Sequence, residues 1–211
     1  MPLSVPTAAL PGKVRRRATA TARWWRSSWS WPSKEVIVVS AITSAQNIAL
    51  QCIEIGRRTG AFTESEMEVL VEVLVEWVAT RGRDYLLNLT LGKERQIEGF
   101  IIYGKAPMTQ FAWDVYWIVV SPESQGKGKG KSLIRTVEKR LLRMGGPAIL
   151  RIETSGRPSY ERQRRFYEAC GYSVAGHIED FYSPGDALIT YVKRLESTRN
   201  FCVNGQGKCH G

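Results

Sequence analysis

The sequence is poor in several features, and each shortage closes off a class of protein. Its 4 cysteines, Cys52, Cys170, Cys202 and Cys209, form no C-x-x-C pair. That excludes a disulfide-dense secreted scaffold and a zinc ribbon, and points to a reducing, cytoplasmic compartment. The 2 histidines, His177 and His210, stand in no metal-ligand spacing, so no metal is expected. Cys202, Cys209 and His210 are scattered through a polar, Gly-rich tail, for which a disordered terminus is a better reading than a metal site. No apolar run approaches the roughly 18 residues that a membrane helix needs, and none near the start suits a secretory signal, so no membrane partner is expected. No internal repeat is evident, and acidic residues are missing altogether before Glu35.

That last absence divides the charge. Lys13, Arg15, Arg16, Arg17, Arg23, Arg26 and Lys34 account for seven of the net +10, leaving the rest of the chain mildly basic at +3. The same segment holds four of the seven tryptophans: Trp24, Trp25, Trp29 and Trp31. Basic residues interleaved with aromatics would suit single-stranded nucleic acid or anionic lipid, and an Arg-rich, acid-poor start has some likeness to an organelle transit peptide. The simpler reading of residues 1–34 is a disordered extension. The remainder is too mildly charged to be read as a nucleic-acid-binding domain. With 43% hydrophobic and 24% charged residues, the chain as a whole has the composition of a globular protein with a buried core.

Residues 35–42 alternate and are rich in Val and Ile, which predicts a first strand. Thr43-Ser44 then caps a helix that buries Ile48, Ala49, Cys52 and Ile53 and ends at Gly60. Thr63 and Glu66 have the spacing of a capping box and open a second helix. Its stripe is Met67, Leu70, Val71, Leu74, Val75 and Val78, and Arg81-Gly82 stops it. Strands are expected at 85–91, 97–103 and 111–120, separated by the turn at 92–95 and by Pro107. A helix follows to about Met144, stopped by Gly145-Gly146-Pro147. A strand at 148–154 puts Leu150 and Ile152 on one face and Arg151 and Glu153 on the other. A helix at 159–170 ends at Gly171. Strands at 173–181 and 187–194 close the domain, and residues 196–211 read as a disordered tail.

The stretch that organises the chain is Ser121-Pro122-Glu123-Ser124-Gln125-Gly126-Lys127-Gly128-Lys129-Gly130-Lys131-Ser132. It joins an apolar strand to a helix through glycines at alternate positions. Such a bend presents unpaired N–H groups at a helix N-terminus, where phosphate or pyrophosphate binds, and glycine lets the backbone come close to the ligand. Two phosphate motifs compete for it. The nucleotide P-loop, G-x-x-x-x-G-K-[ST], finds its tail in Gly130-Lys131-Ser132, but Gln125 stands where its first glycine belongs. The pattern [QR]-x-x-G-x-[GA] is met in full by Gln125, Gly128 and Gly130.

That second pattern resembles the acetyl-CoA loop of the GNAT N-acetyltransferases. The element order over residues 35–195 is also that of the family. Arg165-Phe166-Tyr167-Glu168-Ala169-Cys170-Gly171-Tyr172 is similar to its helix ending F-Y-E-x-x-G-F, although Tyr160 and Gln163 replace the Asn and Ala that often precede that tyrosine. Residues 113–118 and 180–186 look like those of a subgroup of small GNAT enzymes. The resemblance implies an α+β GNAT fold: a mixed, mostly antiparallel twisted sheet of about seven strands with four helices, and a splayed parallel strand pair in the middle. It implies acetyl-CoA as co-substrate and a primary amine of a small molecule or amino acid as acceptor, acetylated by direct attack in a ternary complex. Monomer and homodimer both remain open.

The resemblance also assigns parts. Backbone groups of Ile118, Val119 and Val120 would pair with the pantetheine arm, and an N–H near Val119 would serve the oxyanion. Gln125, Gly126, Lys127, Gly128, Lys129, Gly130 and Lys131 would hold the pyrophosphate, with Ser132 assisting. Tyr167 matches the tyrosine that protonates the leaving thiolate. Asp114 and Glu153, on the two splayed strands, are candidate bases, though either would equally serve as a solvated strand charge or ion-pair partner. Tyr103, Tyr116 and Tyr182 are candidate pocket walls, with ordinary packing the plainer reading, and His177 is read as a strand residue. Two alternatives stand beside the enzyme: a non-catalytic acyl-CoA-binding GNAT module acting as a sensor or docking domain, and nucleic-acid binding through residues 13–31.

Overall fold

The computed structural model describes residues 44–145 and 147–196. The predicted first strand at 35–42, the basic extension and the tail with Cys202, Cys209 and His210 lie outside these residues. Within them are four α-helices and six strands. In chain order they are α1 (Ser44–Thr59), α2 (Glu64–Ala79), β1 (Leu86–Leu91), β2 (Ile97–Lys105), β3 (Ala112–Val120), α3 (Lys129–Arg143), β4 (Ala148–Ser155), α4 (Glu161–Ala169), β5 (Ser173–Ser183) and β6 (Asp186–Leu195). Short 3-10 turns, Pro122–Ser124 and Pro158–Tyr160, lead towards α3 and α4.

Local chemistry sets the helix ends. At α2 the capping box forms as the spacing predicts: Glu66 N–H donates to Thr63 Oγ1 at 3.3 Å, and Thr63 N–H donates to Glu66 Oε2 at 2.7 Å. Such a cap contributes about 1 kcal/mol. Gly56 lets α1 lie close on α2, since a Cβ there would come within 3.0 Å of Leu70.

The sheet order is β1-β2-β3-β4-β6-β5, and every neighbouring pair is antiparallel except β3 with β4. A parallel pair needs a crossover, which α3 supplies. Helices α1 and α2 cover one face with a core that includes Cys52, Leu70, Leu74, Phe100, Trp117 and Val119. The other core joins Ile118, Val120, Leu133, Val137, Leu150, Ile152 and Tyr167, from β3, α3, β4 and α4. This is a mixed α+β architecture with one parallel pair at its centre.

A bulge in β3 decides what that centre looks like. Ile102 pairs with Trp117 and Tyr103 with Val115, so Tyr116 is the extra residue. Consecutive Tyr116 and Trp117 then pack on the same face, with α1 and α2, while Val115 and Ile118 pack on the other. Bulges bend a strand and sharpen its twist. Pairing between β3 and β4 begins at Ala112 and Ile149 and stops at Val115 and Ile152, immediately before the bulge. Beyond it the two strands no longer pair.

Candidate active site

The end of the pairing leaves a gap edged by backbone that has no strand partner across it. Ser121 N–H donates to Glu98 O at 2.8 Å, so alternation along β3 turns the backbone groups of Val119 and Trp117 towards β2 and those of Ile118 and Val120 towards the gap. The resemblance groups Ile118, Val119 and Val120, but the ladder divides them: Val119 has Phe100 of β2 as its partner. On the other edge, Ile149 N–H donates to Phe111 O and Gly156 N–H to Ala187 O of β6. The same alternation turns the Glu153 carbonyl and the Ser155 amide towards the gap. Arg164 Nη1 closes its far end by donating to Ser155 O at 2.8 Å.

The glycine bend opens at the end of β3. Ser124 N–H donates to Ser121 O at 2.9 Å, and the Gln125 side chain reaches back from Nε2 to Val120 O at 3.2 Å. Gln125 therefore pins the bend to the strand. Gly126 (φ +73°) and Gly128 (φ +75°) are left-handed, a conformation that glycine adopts freely. Ser132 N–H donates to Gly128 O at 3.0 Å, the first bond of α3, so the amides of Lys129, Gly130 and Lys131 are the unpaired first-turn donors.

The three lysines take different roles. The Lys129 ammonium is held by Glu98 at 2.6 Å and ties the bend to β2, whereas Lys127 and Lys131 are exposed. Arg58 and Glu123 add an ion pair between α1 and the start of the bend. Along α3 runs a groove of about 360 Å³ lined by Gly128, Lys131, Ser132, Arg135, Thr136 and Lys139. Arg135 and Lys139 were missed from sequence, although their spacing of four from Lys131 places all three on one helical face.

On the α1/α2 side, Asp114 and Glu153 are both buried, at 4% and 5% exposure, rather than solvated strand charges. Asp114 pairs in register with Arg151. The Arg151 guanidinium donates to both of its oxygens, Nε to Oδ1 at 2.7 Å and Nη2 to Oδ2 at 3.1 Å. Arg151 Nη1 also lies 3.3 Å from Glu153 Oε1, while Glu153 Oε2 is buried without a partner. Burial pushes the Glu153 carboxyl above its ordinary value; Arg151 opposes this and Asp114 adds to it. Tyr116 lies among these charges, its phenol pushed up first by burial and then by Asp114, and its ring meets Tyr85 edge-on at 5.4 Å.

On the α3/α4 side, Tyr167 is 1% exposed, with ring centroids 5.8 Å from Tyr191 and 6.4 Å from Tyr172. Burial raises its phenol pKa well above the ordinary tyrosine value, reinforced by Cys170 and Tyr191. Helix α4 is anchored by Tyr191 Oη donating to Glu168 at 2.9 Å and by Lys193 Nζ donating to Cys170 O at 2.8 Å. Tyr103 and Tyr116 are core residues, and His177 lies on β5 beside Glu179 at 3.2 Å. Among the described residues no cluster of His, Cys, Asp and Glu could hold a metal ion, and no helix is long and apolar enough to cross a membrane.

Comparison with known proteins bears on the family and the fold. The family model of the acetyltransferase (GNAT) domain matches residues 77–174. A GNAT-family protein of Desulfovibrio desulfuricans, solved by crystallography, is 34% identical, with a TM-score of 0.65 over 72% of this chain and 93% of that one. The ribosomal-protein-S18-alanine N-acetyltransferase of Escherichia coli is 20% identical, with a TM-score of 0.55 over 74% of this chain and 92% of that one. An aminoglycoside 6'-N-acetyltransferase complexed with coenzyme A is 16% identical, with a TM-score of 0.56 over 75% of this chain and 97% of that one. No curated protein sequence matches the chain. The identity to the first of these structures, over almost its whole length, decides the matter: the chain belongs to the GNAT family of acetyltransferases.

Proposed function

We propose that the protein is an N-acetyltransferase that moves an acetyl group from acetyl-CoA to the primary amine of a small molecule or amino acid, by direct attack in a ternary complex. One observation carries the reading. The glycine bend with its unpaired first-turn amides stands at the mouth of the gap between β3 and β4. A diphosphate held at the amides of Lys129, Gly130 and Lys131 would lead its pantetheine arm between Ile118 and Val120 on one edge and Glu153 and Ser155 on the other. Lys131, Arg135 and Lys139 would hold the remaining phosphate charge in the groove of α3. The two fold neighbours named above are N-acetyltransferases by name, which suggests an amine as acceptor. The free thiols of Cys52 and Cys170 suit a reducing, cytoplasmic compartment.

The chemistry then has three demands. A lysine-like amine of pKa ~10.4 must lose a proton, a cost of roughly 4–5 kcal/mol at pH 7. Glu153 is the better base: its Oε2 is unpartnered and its carboxyl pKa is raised, whereas both oxygens of Asp114 are held by Arg151. Asp114 and Arg151 position it. The amine nitrogen attacks the thioester carbonyl carbon, and the oxyanion is met by an amide facing the gap, that of Ile118 or Val120. The C–S bond breaks as the phenol proton of Tyr167 passes to sulfur, since a thiol of pKa ~8.5 leaves a basic thiolate. Thiol release from acetyl-CoA with a panel of amines tests the reading. Turnover with at least one amine supports it, and binding without turnover across the panel would favour a sensor.

A further inference from the structure

Directly after Glu153, β4 carries a second buried polar atom without a partner: the hydroxyl of Thr154, at 0% exposure. A buried hydroxyl left unbonded costs free energy, and native structures rarely keep one without a reason. Packing gives no reason here, because valine has nearly the same shape and would fill the space without the penalty.

The position of Thr154 suggests what the hydroxyl is for. The residue lies two places beyond Ile152, where β4 loses β3 as a neighbour. Its backbone partner is Ile189 of β6, so it is fixed on a rigid strand. Leu150 and Ile152 belong to the core under α3 and α4, and alternation puts the Thr154 side chain on that same side, next to the gap. That core brings together Ile118, Val120, Tyr167 and Tyr191; two of its other phenols, Tyr103 and Tyr172, are also buried without a partner, and Thr154 differs from them in lying on the strand that borders the gap. Thr154 and Glu153 thus offer unpartnered polar atoms on opposite faces of the same edge.

We propose that Thr154 Oγ1 is a binding residue of the acyl-CoA site, donating to a carbonyl oxygen of the acylated pantetheine arm. This rests on the reading of the gap as the acyl-CoA site. The hydroxyl fixes the depth of the arm, while Tyr167 handles the sulfur.

Titration calorimetry with acetyl-CoA on the full chain tests it, comparing wild type with Thr154→Val and Thr154→Ser. The valine variant should bind about tenfold more weakly while the free protein melts no lower than wild type, and serine should stay within about threefold. Should Thr154→Val not fold, Thr154→Ala against Thr154→Ser gives the same contrast. Wild-type affinity in the hydroxyl-free variants overturns the assignment to Thr154 alone. Failure of wild type to bind acetyl-CoA overturns the reading of the gap, and this inference with it.

Discussion

Arg151 grips Asp114 at both oxygens, at 2.7 and 3.1 Å across the parallel pair β3 and β4, and rests its third nitrogen on Glu153. The contact bridges the two strands at the point where their pairing ends, and it sets two carboxyl groups, Asp114 and Glu153, against one guanidinium.

Removing the guanidinium should therefore be costly. Arg151→Met strands Asp114 as a buried, uncompensated charge, and stability should fall by about 1–3 kcal/mol, less than for a fully buried pair because the Arg151 side chain is 41% exposed. Asp114→Asn in the same background should recover part of the loss. Chemical denaturation of the two single variants and the double variant measures the coupling, and strict additivity would show that the pair contributes nothing.

Glu153 should behave in the opposite sense. Its carboxyl is held above the ordinary value by burial, against Arg151 and with Asp114. The folded state then binds the proton more tightly than the unfolded chain, so stability is lost as pH rises through the folded pKa. Glu153→Gln should melt higher than wild type near neutral pH, and the advantage should shrink as pH falls towards the ordinary glutamate value of ~4.3. The same variant should lose about 10²–10⁴-fold in kcat. Melting curves across pH and steady-state rates on one preparation decide both points.

Tyr167→Phe should leave acetyl-CoA affinity near that of wild type and lower kcat about 10²-fold or more. A larger deficit with acetyl-CoA than with an acyl donor whose leaving group needs no proton would mark the loss as one of proton donation. Equal deficits would mark Tyr167 as a packing residue among Tyr172 and Tyr191.

Much of this was legible in the chain, for identifiable reasons. Thr63 and Glu66 announced α2 because a capping box is a local device, and Gly60 and Gly171 ended their helices because their backbone is left-handed. The bend at 125–132 could be placed because glycine spacing encodes backbone geometry directly. The carboxylates were harder. Asp114 and Glu153 looked like charges on strands, and only the register that sets Asp114 beside Arg151, 37 residues on, shows that both are buried and which of them keeps a free oxygen. The bulge at Tyr116 had no local signal, and it decides which amides face the gap. Thr154 was passed over because an orphaned hydroxyl is visible only once its neighbours are in place.

Everything in the proposed chemistry depends on the bend at the start of α3 receiving the diphosphate of acetyl-CoA. The most direct test is calorimetric titration of acetyl-CoA into wild type and into Gly128→Glu. That substitution forces a side chain onto a left-handed residue where it meets nothing within 4 Å, so the fold should survive at a cost of about 1 kcal/mol while a carboxylate is brought to the amides. Saturable binding by wild type, lost in Gly128→Glu, is the predicted result; no binding by wild type, or equal binding by both proteins, would contradict it.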